Sequence, residues 1–314
     1  MPSIHTATGT IDTSELGFTL MHEHVVTRSP GVFEAWPHLW DKPAEVDRAV
    51  TTLNDLKAAG VDSIVDLTTM DLGRDVAMVA EIARRAQVNI VLCTGVWRHP
   101  PRFFQRNNPD PIAELFVRDI EQGMEGGSIR ASIIKLATEP EVDEQNEVML
   151  RAGARAHRRT GVPISTHHFV ATRCGLAQQD VFESEGVDLS RVVIGHSGDT
   201  EDTDYLAQII GRGSYIGMDR FGIEMMLSTE KRIDTVAKLC AMGHANRIVL
   251  SHDANCYMDT IPPALKAERM PNWHFFHISN DVLPGLRQRG VSEQQIRQMT
   301  VDNPKAIFDV QGAY

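Results

Sequence analysis

The stretch Gly17-Phe18-Thr19-Leu20-Met21-His22-Glu23-His24 reads as a short strand that ends in two metal ligands. Phe18 and Leu20 contribute to its apolar run. In an extended chain residues two apart face the same side, so the imidazoles of His22 and His24 project together. Imidazole is a frequent ligand of zinc-type ions, yet a His-x-His pair also occurs in loops and on plain surfaces. Its meaning depends on whether further ligands stand at the ends of other strands.

Outward from this stretch the chain alternates between strand and helix. Val46, Ala49, Val50, Leu53 and Leu56 recur at helical spacing and predict a helix over 44–59, closed by Gly60. The same reading predicts further helices at 74–86, 112–122, 144–159, 174–185, 202–210 and 228–241, with a closing helix around 281–289. Short apolar runs at 63–67, 89–93, 131–136, 162–166, 191–195, 214–218 and 247–251 read as strands, and no hairpin turn signal interrupts the series. Eight strands separated by amphipathic helices call for a parallel sheet covered on both faces. A doubly wound open sheet is the structural rival. It calls for a glycine-rich phosphate turn after the first strand, where His22-Glu23-His24 stands instead. The expected class is therefore α/β, a closed (β/α)₈ TIM barrel, with residues 1–314 as one domain because no repeat, linker or low-complexity tract divides them. The aromatic-rich segment 25–43, with Trp36, Pro37, His38, Leu39 and Trp40, either covers a site or packs on the surface.

Of the 314 residues 42% are hydrophobic and 23% charged, with a formal net charge of -11. Lys and Arg are scattered, which gives no basic footprint for nucleic acid or an anionic membrane. The N-terminus has no basic and apolar leader, and no segment approaches the ~18 apolar residues of a membrane span. A soluble, cytoplasmic protein is expected. Cys93, Cys174, Cys240 and Cys256 lie far apart without CxxC spacing, so neither a disulfide framework nor a zinc knuckle is indicated.

In a (β/α)₈ barrel the reactive groups stand at the C-terminal ends of the strands. His22 and His24 end the first strand, Lys135 is near the end of the fourth, His167 ends the fifth, His196 the sixth and Asp253 the eighth. An ammonium cannot ligate a cation, so Lys135 is either a buried salt-bridge lysine or a carbamate formed with CO₂, an anionic ligand able to join two metals; burial that lowers its pKa assists that reaction. Two divalent ions give four positive charges, offset by the carbamate, Asp253 and a hydroxide. About one positive charge remains for a polar carbonyl or phosphoryl oxygen.

The strings LMHEHV, IVDLTTMDLGRD, TGVW, IIKLATE, GVPISTHH, IGHSGDT, GMDRFG and LSHDANC are spread over almost the whole chain. Together they resemble the phosphotriesterase-related branch of the amidohydrolase superfamily, and within it the phosphotriesterase-like lactonases. The resemblance implies a binuclear centre at the C-terminal face of the barrel. His22, His24 and Asp253 would hold the more buried metal and His167 and His196 the more exposed one, with Lys135 bridging as N6-carboxylysine. A register one residue later would make His168 the ligand instead of His167. Zinc is the expected metal, with cobalt, iron or manganese also suited to these ligands.

Arg220 and His252 match the lactonase-like members, whereas Trp97 stands where those members carry tyrosine and where phosphotriesterases carry tryptophan. The expected function is a lactonase opening N-acyl homoserine lactones, a quorum-quenching activity, with promiscuous phosphotriester hydrolysis. Asp253 would serve as general acid and base, Arg220 would orient the substrate, and Trp97 would contribute an N–H donor and an apolar face. Residues 221–227 and 254–272, with Met225, Met226 and Met258, would form an acyl-chain channel. The alternatives are a phosphotriesterase or aryl ester hydrolase on the same site, and a non-catalytic metal-binding scaffold. The resemblance also implies a homodimer, acting on a small-molecule lactone or ester.

Overall fold

The structure, a computed structural model, describes residues 2–98, 100–105, 108–309 and 312–314. Strands β1 (Ser3–Thr6) and β2 (Gly9–Asp12) form an antiparallel hairpin ahead of the main sheet. Then come β3 (Thr19–Thr27), β4 (Ser63–Asp66), β5 (Asn89–Gly95), β6 (Ile133–Ala137), β7 (Ile164–His167), β8 (Val192–Gly195), β9 (Tyr215–Met218) and β10 (Ile248–Leu250), each parallel to its predecessor. A last strand, β11 (Asn255–Met258), pairs in parallel with β3, Asn255 lying opposite His24. The amide of Asp253 donates to the His22 carbonyl (3.0 Å) and that of His24 to the Ala254 carbonyl (2.8 Å). β10 and β11 are thus two pieces of the eighth strand, kinked at residues 251–254, and they close the (β/α)₈ barrel against the first.

The helices Lys42–Ala58, Val76–Arg85, Pro109–Glu121, Glu144–Thr160, Cys174–Ser184, Thr203–Gly211 and Thr229–Ala241 fall within three residues of their expected bounds. Six begin on a side chain that accepts a backbone N–H: Asp41, Asp75, Asn108, Asp143, Asp202 and Ser228. Two features depart from expectation. The β1–β2 hairpin was not signalled, because its connection, Ala7-Thr8, lacks the usual turn pair and Gly9 alone takes a positive φ of 139°. The closing helix is a π-type turn, Ile278–Val282, running into Leu283–Gln288, and further helical turns extend to Asp309.

Alternation along the strands sorts the core into two layers. Leu20, Ile64, Ile90, Ile134, Ile164, Ile194 and Ile216 face the helices. Met21, Val65, Val91, Cys93, Ile133, Val193 and Val249 fill the barrel interior, which Ile4, Leu16, Ile307 and Phe308 plug from below. One irregularity decides where the histidines go. Leu20 pairs with Ile64 but Glu23 pairs with Asp66, so β3 carries one residue more than β4 over that stretch. This bulge flips the alternation: Met21 faces inward in the lower barrel, and so do His22 and His24 above it. Among the described residues, no helix is long and apolar enough to cross a membrane.

Candidate metal centre

The six expected ligand positions converge above the apolar stack. His22 Nε2 lies 3.1 Å from Lys135 Nζ and 3.5 Å from Asp253 Oδ1, and His24 Nε2 lies 3.0 Å from the same oxygen. Asp253 Oδ2 faces His196 Nε2 at 3.8 Å, and the His167 and His196 rings are 4.5 Å apart. All are buried except Asp253, which is partly open to the cavity. Asp253 and His196 both adopt left-handed backbone, φ 57° and 61°, uncommon for residues other than glycine and a frequent mark of functional positions.

The outer nitrogens of these rings are occupied, which fixes what the inner ones offer. The buried carboxylate of Asp219 accepts from His22 Nδ1 through Oδ2 (2.8 Å) and from His196 Nδ1 through Oδ1 (2.9 Å), so both rings present Nε2 inward. His24 Nδ1 bonds to Thr68 Oγ1, itself held by Asp66. His167 is turned the other way. Its Nε2 meets the Glu139 carboxylate at 2.7 Å, leaving Nδ1 inward, 3.4 Å from the Trp97 indole N–H. Metal-binding imidazoles are oriented in this manner by carboxylates and hydroxyls on their far side. His168 donates through Nδ1 to the Gly195 carbonyl (2.6 Å), outside the cluster; His167 is the one that enters it.

The electrostatics suit cation binding. Burial, with Lys135 beside it, depresses His22; burial and Arg220 hold His196 well below the usual range; and burial takes His167 to about 3. These imidazoles are therefore neutral, as ligands must be. Burial alone would raise the Asp253 carboxyl, but His22, His24, His196 and Arg220 outweigh it and keep it ionised. Lys135 is lowered to about 8 by desolvation, which makes its free amine accessible near neutral pH. The donor atoms of His22, His24 and Asp253 lie within 4.8 Å of one another and could hold a metal ion. His22, His196 and Asp219 satisfy the same distance, but there the Asp219 oxygens are already committed to the Nδ1 atoms.

Above the cluster opens a cavity of about 760 Å³. Its apolar wall carries Trp97, Pro101, Met70 and Leu72, and the facing wall climbs the β3–β11 ladder through Thr27, Asn255 and Met258. Trp273 and Arg220 complete its floor. The Arg220 Nε donates to Asp253 Oδ2 at 3.1 Å and NH1 to Asp199 Oδ2 at 2.9 Å. Segment 221–227 does not line this cavity, and Met225 and Met226 are exposed, at 80% and 46%, so the expected channel keeps Met258 and loses the other two methionines. Segment 25–43 divides: Thr27–Pro30 line the cavity, Trp36 and Leu39 are exposed, and Trp40 packs on Phe33. Asp219, Glu139 and Thr68 are site residues that motif reading passed over. Asp219 stood inside GMDRFG directly after a strand, a position that could have flagged it.

Comparison with known proteins gives a consistent picture. A family model, that of the phosphotriesterase family, matches residues 2–308. A protein of Mycobacterium tuberculosis called phosphotriesterase homology protein is 48% identical over 325 residues, covering all of both chains. An aryldialkylphosphatase of Saccharolobus solfataricus is 37% identical and covers 95% of this chain and 96% of its own. The solved structure of the phosphotriesterase from Mycobacterium tuberculosis superposes over the whole of both chains with a TM-score of 0.97, at 48% identity.

Proposed function

This chain belongs to the phosphotriesterase family of hydrolases, and from that premise we propose that it opens lactones, N-acyl homoserine lactones first among them, with phosphotriester hydrolysis as a side activity. In this reading His22, His24 and Asp253 would hold one divalent ion and His167 and His196 a second, with Lys135, carboxylated on Nζ, as a further anionic ligand. Zinc suits the donor set, as do cobalt, manganese and iron. A pair of such ions supplies Lewis acidity and makes a hydroxide nucleophile available near neutral pH.

The chain's own residues do the rest. Asp253 takes up the nucleophile's proton and returns it to the leaving alkoxide; its ionised carboxylate, between His24 and Arg220, is placed for both tasks. Arg220, tethered by Asp199, orients the ester through its ring oxygen. Trp97 supplies an N–H donor beside His167 and a broad apolar face against the acyl chain. The apolar wall of Met70, Leu72 and Pro101 receives the rest of that chain and excludes water from the ring. The observation that carries the reading is the convergence of six candidate ligand residues from five different strand ends, with a tethered arginine beside them.

A second reading, a phosphotriesterase or aryl ester hydrolase, draws on Trp97 and on the name of the Saccharolobus solfataricus relative. Values of kcat/KM for the metal-loaded protein on acyl homoserine lactones, simple γ- and δ-lactones and an aryl phosphotriester, with a chelated control, decide between them. Lactone values well above the phosphotriester value are expected; the reverse order selects the second reading. We further take the chain to act as one hydrolase domain in the cytoplasm and as a homodimer, and light scattering on the purified protein checks the dimer.

A further inference from the structure

We propose that Glu23 is a positioning residue for the metal centre, holding the kinked segment 251–254 in the conformation that brings Asp253 against His22 and His24. This inference rests on the metal-binding reading given above. Glu23 lies between the two histidines on β3 and, because of the alternation, points to the opposite side from them, where it is wholly buried. Its carboxylate gathers four donors from one short segment. Oε1 accepts from Ser251 Oγ (2.8 Å), the His252 amide (3.0 Å) and His252 Nδ1 (2.6 Å), and Oε2 accepts from the Ala254 amide (2.8 Å).

The His252 tautomer follows from its other side. The Ile278 amide donates to His252 Nε2 at 2.9 Å, so a neutral ring carries its proton on Nδ1 and gives it to Glu23. All four contacts therefore require an acceptor, which a carboxylate supplies at both oxygens and an amide at only one. Asp253 stands at the centre of these donors with its left-handed φ of 57°, a conformation that persists only where neighbours over-determine it. Ser251 Oγ also accepts the His22 amide at 2.8 Å, so one hydroxyl joins Glu23, the kink and the first histidine. The motif His22-Glu23-His24 thus acts on both faces of β3: the imidazoles offer ligands, and the glutamate aims a third ligand from the far end of the chain.

The test is zinc binding by the chelator-stripped protein, followed by competition with a chromophoric chelator, alongside the melting temperature of the stripped form. Glu23→Gln places an amide donor against a backbone donor and is expected to weaken zinc binding by about ten- to a hundredfold. Ile307→Ala, in the plug at the other end of the barrel, serves as a control that lowers the melting temperature while keeping wild-type zinc affinity. A purely structural role for Glu23 predicts that its variant tracks this control. Should Glu23→Gln not fold, Glu23→Asp, which keeps the carboxylate but withdraws it from the segment, takes its place with a smaller loss in the same direction, and wild-type zinc affinity in it overturns the role equally. Wild-type zinc affinity in the folded variant overturns the role given to Glu23 while leaving the metal centre intact. A wild-type protein that takes up no zinc overturns the metal reading itself, and this inference with it.

Discussion

Arg220 and Asp219 are neighbours in sequence with different tasks, and substitutions separate them. Arg220 reaches Asp253 and the cavity, so Arg220→Ala is expected to lower lactone kcat/KM by about a hundredfold, the usual effect of deleting one donor in a site, with metal content unchanged by elemental analysis. Full turnover in that metal-replete variant would remove Arg220 from the mechanism. Asp219 holds His22 and His196 from behind through their Nδ1 atoms, and the His196 amide as well, so Asp219→Asn should weaken metal binding by about ten- to a hundredfold, read by the same competition titration as zinc uptake. That these residues cluster was legible because imidazoles two apart on one strand, and directly after two more, have few other reasons to recur together. Asp219 was not, because a carboxylate after a strand reads alike whether it meets a metal or the far side of a ligand. The sequence reading chose His167 and kept His168 as its one-residue alternative; the His168 bond to Gly195, which turns that ring out of the cluster, has no signature in sequence.

Among the elements, β3 shows where periodicity stops being sufficient. That His22 and His24 share a side followed from spacing, but which side depended on the bulge between Leu20 and Glu23, and a run with apolar residues at both Leu20 and Met21 hides such a slip. The β10–β11 break was invisible for a related reason: polar Ser251, His252 and Asp253 read as the end of a strand, whereas Glu23 lets the chain resume pairing beyond them. The neighbouring β8 and β9 show a different constraint. A Cβ on Gly217 would stand 2.4 Å from Asp219 Oδ2, so the carboxylate occupies space that glycine leaves free. Gly217→Ala should cost about 1–3 kcal/mol of stability in urea unfolding of the chelated protein. It should also weaken zinc binding; an unchanged affinity would mean that Asp219 need not sit where it does.

For the whole molecule, the many buried histidines set the acid limit. Burial depresses His22 and His196, takes His167 to about 3, and takes His157 and His168 to about 4. In the unfolded chain each titrates near 6.5. Between those limits the unfolded state holds protons that the folded state refuses, so stability is complete above about pH 6.5 and falls as pH drops below it. Each such group contributes up to about 1.4 kcal/mol per pH unit, opposed by Asp66, whose carboxyl burial raises. The melting temperature of the chelated protein should therefore decline steadily from about pH 7 to pH 5, and a flat profile would contradict the burial of these rings. The barrel and its helices were legible throughout, because eight strands and seven helices repeat one pattern; the plug below was not, because the hairpin and terminal turns follow no repeat. Closure of that barrel joins its first strand to its last, and His22, His24 and Asp253 meet across this seam. During synthesis the two histidines leave the ribosome more than two hundred residues before their carboxylate partner. No nascent chain that stops short of residue 253 can assemble that cluster, so a metal ion held there would be captured late in synthesis.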